Sequence, residues 1–400
     1  MSSSGRQVAL FWLSFAGVLA VAGFGLRRLG ARPAEQAPLA DLAAARAEPT
    51  PFAAQLLRSQ SVAAPRLDGE FPCVLGEVVG GRADPRLGRC ALPTAPSGPV
   101  DRFEADLRYG RFILRQSDLF LRDVFPVPLT RTYNSGDYLH PNRVHAFGKN
   151  ANHPFDIAPL GTRNPYTHQF LGLEDGDFLY FSRVSPGTDF ADAVFQHTET
   201  STRFYRAVTS WNGSGWTTWL TDGTKLQFPE AYRAKSMAQG ALTGISDAAG
   251  NRLELRRDRL SNLLEIRTPH GRSIQLAHDD RSRIVRAEDD AGQWAEYRYD
   301  QDGMLSDATL SSGRARHYSY AGALMTRIED EHRQALLINT YEGTWLARQD
   351  FGNGAVYSYG YTAPPRGGYA EHVVVTLPDG RKTDVEVASS VPDVVRHPER

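Results

Sequence analysis

A period of 21 residues governs the C-terminal half of this chain. Glycine stands at Gly250, Gly271, Gly292 and Gly313, each 21 residues after the last; Arg333 follows after 20 and Gly354 after another 21. Such a period specifies a repeat architecture, in which each unit buries its apolar face only by stacking on the next. Five residues beyond each leader stand Leu255, Leu276, Tyr297, Tyr318, Ile338 and Tyr359, and two further on Tyr299, Tyr320 and Tyr361 share the same face. A spacing of two is that of a β-strand. A second apolar position follows at Leu263, Ile284, Leu305 and Leu346, with turn formers such as Asp300, Asp302 and Gly303 in between. Each block reads strand, turn, strand, turn. The region predicts an all-β fold of antiparallel hairpins in a curved sheet or small partial shell. Six repeats of two strands make a sheet about 58 Å wide at ~4.8 Å per strand, or about 18 Å across if closed.

Upstream, from Arg102 to about Phe228, short strands lack the period and predict an irregular entry module: Arg111 to Arg115, Leu119 to Arg122, Leu129 to Tyr133, Phe178 to Arg183, Thr202 to Val208 and Thr217 to Thr221. Asn212-Gly213 between Trp211 and Trp216 marks a hairpin. This module is expected to cover an edge of the repeat sheet, since open edges invite aggregation.

Charge and motifs exclude several classes. The 400 residues carry 45 Lys and Arg against 46 Asp and Glu, a net charge of -1, with no long run of one sign. That argues against a nucleic-acid partner. There is no GxSxG, HExxH, phosphate loop or strand-borne GxGxxG, and no cofactor is expected. Ser214 sits between two glycines of a turn, where serine is an ordinary turn residue. His140, His145, His153 and His168 have spacings that match no common metal site and read as loop histidines. Asp279, Asp280, Asp289, Asp290, Asp300 and Asp302 recur at turns, where aspartate caps its own backbone. Acid/base catalysis would instead need two carboxylates about 5 to 9 Å apart around one substrate. Asp300-Gln301-Asp302-Gly303 lacks the later glutamate of a full calcium loop. The tyrosines Tyr297, Tyr299, Tyr318, Tyr320, Tyr357, Tyr359 and Tyr361 read as cross-strand packing, with a glycan-binding groove as the alternative because a tyrosine joins an apolar face to a polar tip.

The N-terminal hundred residues are of another kind. Val8 to Leu26 is uncharged and long enough to cross a bilayer as a helix. Arg6, the apolar run and Ala20-Val21-Ala22 also fit a cleaved signal peptide, so residues 1–28 are an anchor or a signal. Residues 29–100 form an Ala/Pro-rich linker, within which Cys73 and Cys90 bracket a Gly/Pro loop. A disulfide there would stabilise by about 3 kcal/mol, and the hydrophobic N-terminus suits an oxidising compartment. The remaining boundaries fall at 101–240 for the entry module, 241–385 for the repeats and 386–400 for a tail.

The block GQWAEYRYDQDGMLSDATLSS, Gly292 to Ser312, resembles the YD repeat of Rhs proteins, with its glycine, tyrosine pair, aspartate, glycine and leucine. The following block keeps the tyrosines and replaces the aspartate by Ala321. DLFLRDVFPVPLTRTYNS, Asp118 to Ser135, resembles the domain that precedes Rhs repeats. The resemblance covers roughly residues 101 to 385 and implies an exported body, which outweighs the weak bias of Arg27, Arg28 and Arg32 toward an internal C-terminal side. It points to a short Rhs/YD form without core protease or toxin. The expected function is a non-enzymatic, envelope-anchored β-scaffold in the periplasm or at the cell surface, bound to the membrane by its N-terminal helix and to a protein or glycan through its sheet. The alternatives are secretion after signal cleavage, an accessory or remnant of an Rhs toxin system, and a glycan-active or self-processing enzyme.

Overall fold

The computed structural model describes residues 105–124, 126–136, 144–161, 166–199, 203–231, 234, 236–362 and 370–386. Val8 to Leu26, Cys73, Cys90 and His140 lie outside them. Among the described residues no helix is long and apolar enough to cross a membrane.

Two β-structures make up the body. The first is a four-stranded sheet of β1 (Ala105–Asp106), β2 (Arg111–Leu121), β3 (Val127–Asn134) and β6 (Ala151–Asn152), with the small pair β4 (Val144–His145) and β5 (Gly148–Lys149) beside it in sequence. The second is a ring of 21 strands. It begins with β7 (Ala158–Gly161), β8 (His168–Gly172), β9 (Phe178–Arg183), β10 (Val194–Gln196), β11 (Val208–Trp211), β12 (Gly215–Trp219), β13 (Lys225–Pro229) and β14 (Gly244–Ser246). The periodic strands follow: β15 (Arg252–Arg257), β16 (Leu263–Arg267), β17 (Ser273–His278), β18 (Ile284–Asp289), β19 (Trp294–Tyr299), β20 (Leu305–Leu310) and β21 (Ala315–Ala321). The ring ends with β22 (Leu324–Glu329), β23 (Ala335–Glu342), β24 (Trp345–Phe351), β25 (Val356–Thr362), β26 (His372–Thr376) and β27 (Lys382–Glu386).

Each ring strand pairs antiparallel with the next in the chain, and β27 comes to lie beside β7 to close a barrel. Alternation over 21 strands leaves the first and last running the same way, so the closure joins two parallel strands. The sheet runs through residue 240 unbroken, because β13 pairs with β14. Residue 240 therefore marks where the period begins and not an edge of the sheet. The strand expected at Thr202 to Val208 starts only at Val208, and Phe178 to Arg183 is a strand over that very span.

The twelve-strand width is corrected accordingly. At ~4.8 Å per strand the ring measures about 100 Å around and about 32 Å across. Side chains from one wall do not fill such a space. Strands such as β15, β17 and β19 alternate buried and exposed residues, and their buried face joins Phe112, Leu121, Leu129, Tyr133 and Phe147 of the first 50 described residues in one apolar cluster. The first sheet is thus a plug packed against the inner wall, instead of a cover on an edge. Among the described residues, the sheet and its β4–β5 pair are tied to that wall by backbone hydrogen bonds from Ile284 N–H to Ala146 O (2.7 Å), Lys149 N–H to Gly303 O (2.9 Å), Leu346 N–H to Gly110 O (2.7 Å) and Ala370 N–H to Arg108 O (2.6 Å).

Candidate functional site

The chemistry of the molecule concentrates where plug meets wall. In β2, Ser117 faces Thr130 and Leu119 faces Leu129, so Asp118 is the extra residue of a bulge. Bulges re-aim side chains. Both Asp118 oxygens take hydrogen bonds from the Arg131 guanidinium, at 2.5 and 3.0 Å, and both side chains are buried. The wall completes the group. Tyr297 donates its hydroxyl to Asp118 Oδ2 at 2.8 Å, Tyr318 donates to Gln116, and Arg131 reaches the Tyr318 oxygen at 3.1 Å. The Arg131 guanidinium also lies 5.6 Å from the ring centres of both tyrosines, within cation–π range. Burial alone would lower its pKa, but Asp118 and the phenol oxygens hold it well above its ordinary value. Burial, then Asp118, raises the Tyr297 hydroxyl well above its own, so it stays a donor.

The second tyrosine of each pair has another task. Tyr299, Tyr320, Tyr341 and Tyr361 donate to the carbonyls of Ile284, Leu305, Met325 and Leu346, at 2.6, 2.8, 2.9 and 2.9 Å. In three of these hairpins a bulge falls just before that tyrosine. Tyr359 meets Gln349 Oε1 at 2.6 Å. Ile338, expected on the inner face, points outward, while Leu337 and Asn339 are buried. A further bulge at Ile328/Glu329 inserts one residue and inverts the alternation. Tyr133 of the plug was not singled out by the repeat pattern; its oxygen donates to Ala323 O at 2.6 Å and accepts from Met325 N–H at 2.9 Å.

The repeat glycines stand apart from this junction. Gly250, Gly271, Gly292, Gly313 and Gly354 have φ between 78° and 88°, in open turns where nothing lies near an added Cβ. The turn acids engage their own backbone. Asp279 Oδ1 accepts from the N–H groups of Arg281 and Arg283, and Asp289 Oδ1 from those of Ala291 and Gln293. Asp300 Oδ1 accepts from Met304 N–H at 2.9 Å. Asp290 is held by Arg272. Ser214 lies in the β11–β12 turn, its N–H bonded to Asn212 Oδ1. His153 is buried near Asp156, and burial pushes its pKa down to about 4, whereas His168 sits on β8. No group of three His, Cys, Asp or Glu side chains able to hold a metal occurs among the described residues.

A second charged junction went unforeseen. The turn between β8 and β9 meets the plug through Arg111 and Asp177 at 2.9 Å, Arg115 and Asp175 at 3.2 Å, and Asn134 Nδ2 and Asp175 O at 2.7 Å. Neither oxygen of Glu174, which is 5% exposed, has a hydrogen-bond partner among the described residues. Burial and then the neighbouring Asp175 charge raise its pKa far above the carboxylate range. Burial raises Asp175 too, but Arg115 and the Asp177 N–H stabilise its anion, so Glu174 is the one of the two that holds its proton more tightly. Burial likewise lifts Asp106 to about 6.

Residues 105–167, which span the plug, β7 and the chain up to β8, match a family described as a domain of unknown function, DUF6531. No curated protein matches the chain at a significant level. Among solved structures, TcdB2-TccC3 and TcdB2-TccC3-TEV match 69% of this chain at 14% and 13% identity, with TM-scores of 0.29 and 0.30. This chain corresponds to 19% of each of theirs, about a fifth of their length. A porin-like protein from Bacteroides uniformis matches at 9% identity and a TM-score of 0.18, over 69% of this chain and 94% of its own. The body is an all-β structure built from successive antiparallel hairpins.

Proposed function

We propose that this chain is a self-plugged, non-enzymatic Rhs/YD-repeat scaffold, held at the cell envelope by Val8 to Leu26, whose barrel offers its outer surface to a protein or glycan. The plug carries this reading: the inner wall is committed to the chain's own β1–β6 through Asp118, Arg131, Tyr297 and Tyr318. Of the turn acids that a glycan-active enzyme would use, Asp279, Asp289 and Asp300 are bonded to turn backbone and Asp290 to Arg272. A scaffold of this kind derives rigidity from its interior, and the outside is left for contacts. An accessory that docks on a separate chain by its sheet edge would leave a strand such as β26 free, and β26 is paired on both sides.

The test is topological and chemical. Protease added to spheroplasts should digest the body while cytoplasmic markers survive, and the purified full chain should show no free thiol at Cys73 or Cys90. Full protection would remove the envelope placement. Glycan hydrolysis by the purified chain, abolished by Asp290→Asn or Asp302→Asn, would overturn the non-enzymatic reading.

A further inference from the structure

The face of β10–β12 that turns away from the interior is unlike the rest of the wall. Register places Val194 opposite Ser210, Ser210 opposite Thr217 and Val208 opposite Trp219, so these five residues share one face. Their neighbours Phe195 and Trp216 point the other way, into the interior cluster. On the periodic strands the outward positions carry cross-strand ion pairs, such as Arg256 with Glu265 and Arg286 with Glu296. On β10–β12 they carry no charge. All five are buried, Trp219 being 4% exposed, yet Val194, Val208 and Trp219 are no part of the interior cluster. Trp219 Nε1 and Ser210 Oγ are buried without a hydrogen-bond partner among the described residues. A buried donor without an acceptor is costly, so this face calls for a cover that is apolar and supplies acceptors.

We propose that the cover is the chain's own N-terminal segment, with Phe52 to Leu57 seated across β11 and β12. One hundred and four residues precede Ala105, and in the Ala/Pro-rich stretch from Ala31 to Pro65 Phe52 is the one aromatic residue. In PFAAQLL, Phe52 and Leu56 stand at i and i+4, the spacing that puts two apolar side chains on one face of a helical turn. Ala53 and Ala54 permit close approach, and Gln55 brings the amide oxygen that Trp219 Nε1 or Ser210 Oγ lacks. No charge interrupts Pro49 to Leu57, matching an uncharged face. The 47 residues from Arg58 to Thr94 and on to Glu104 can span about 155 Å, so reach sets no limit.

The experiment uses the full chain with p-benzoylphenylalanine in place of Phe52. Irradiation followed by peptide mapping should give an intramolecular cross-link within Val208 to Trp219. Cross-links only to other strands, or only between two chains, would overturn the proposal, the latter by assigning the face to a second copy. A second measurement reads the thiol of Thr217→Cys, mapped apart from Cys73 and Cys90. Phe52→Asp with Leu56→Asp should raise its labelling rate by about tenfold or more, while Leu39→Asp should not. An unchanged rate in the first, or an equal rise in the second, would sink the assignment.

Discussion

The periodic wall and the plug are held by contacts of opposite character. The wall repeats one arrangement: a tyrosine hydroxyl on a backbone carbonyl, from Tyr299, Tyr320, Tyr341 and Tyr361 in turn. Each such bond is neutral, and its neighbours duplicate it. The plug depends on single charged groups, above all Arg131 on Asp118 and the turn holding Glu174 and Asp175. A repeat array tolerates the loss of one unit because stability is a sum over neighbouring interfaces. A buried ion pair does not, because the partner left behind is an uncompensated charge. The plug should therefore be the brittle part of the molecule.

The harshest way to break that contrast is Arg131→Met. It leaves Asp118 buried with only Tyr297, and should cost about 3 to 5 kcal/mol by denaturant unfolding. Adding Asp118→Asn should restore part of the loss, since the orphaned charge goes with it. A single mutant within about 0.5 kcal/mol of the parent would mean that the backbone bonds hold the plug unaided.

The tyrosine pair sharpens the same point at smaller scale. Tyr297→Phe removes a hydrogen bond to a carboxylate and should cost about 1.5 to 3 kcal/mol, whereas Tyr299→Phe removes one to a neutral carbonyl and should cost about 0.5 to 1.5 kcal/mol. Equal losses would erase the distinction between the plug-facing and wall-facing members.

Titration separates the plug junction from the periodic strands without altering those strands. Glu174 binds its proton more tightly folded than unfolded, because burial and Asp175 disfavour its anion. Its contribution to stability is therefore full in the acid range and is lost as pH rises from ordinary glutamate values past neutrality. Asp106 contributes in the same sense, its loss complete above about 6. Glu174→Gln should flatten the fall in melting temperature on the alkaline side, while the acid limb driven by Asp156 and Asp279, whose pKa values are lowered, stays as it was. Parallel pH curves for the two proteins would show that Glu174 is ionised in the native state.

In the wall itself, Gly292→Val or Gly313→Val forces a branched residue to φ of 78° or 87°, and should cost about 1 to 3 kcal/mol through backbone strain alone. No clash adds to it, since nothing lies near the new Cβ. Unchanged melting midpoints would place these glycines in loose turns.

What was legible in the sequence follows the same division. Glycines, paired tyrosines and turn aspartates echo one another at a fixed interval, so each copy reports on the others. The eight strands β7–β14 lack that echo, and they make up all but one of the nine by which twelve strands fall short of 21. The plug contacts join residues far apart in the chain: Tyr297 to Asp118 across 179 positions and Tyr318 to Gln116 across 202. No local pattern encodes such a pair. The stretch from Asp118 to Ser135 did stand out as a resemblance, yet its purpose needed the bulge at Asp118, and a bulge leaves the residue types unchanged. Ile338 failed for a related reason, one inserted residue reversing every face beyond it.

The smallest effect tests a second period that the glycines concealed. Ser261, Ser282 and Gly303 stand 21 residues apart at the other hairpin end, with φ of 71°, 63° and 85°. A non-glycine residue pays about 1 to 2 kcal/mol for this left-handed conformation, while glycine adds about 0.5 to 1 kcal/mol of unfolded-state entropy. The balance favours glycine by about 0.5 kcal/mol. Ser282→Gly should therefore raise the denaturant midpoint slightly, and Gly303→Ser should lower it by a similar amount. Arg333, at φ of 64° in the leader position, offers the control. Arg333→Gly gains the same relief but gives up a 3.6 Å ion pair to Glu329, and since that exposed pair is worth about 0 to 1 kcal/mol the two nearly cancel. A clear loss in Ser282→Gly, with Arg333→Gly neutral, would show that these serines stabilise their turns by contacts that outweigh the backbone strain.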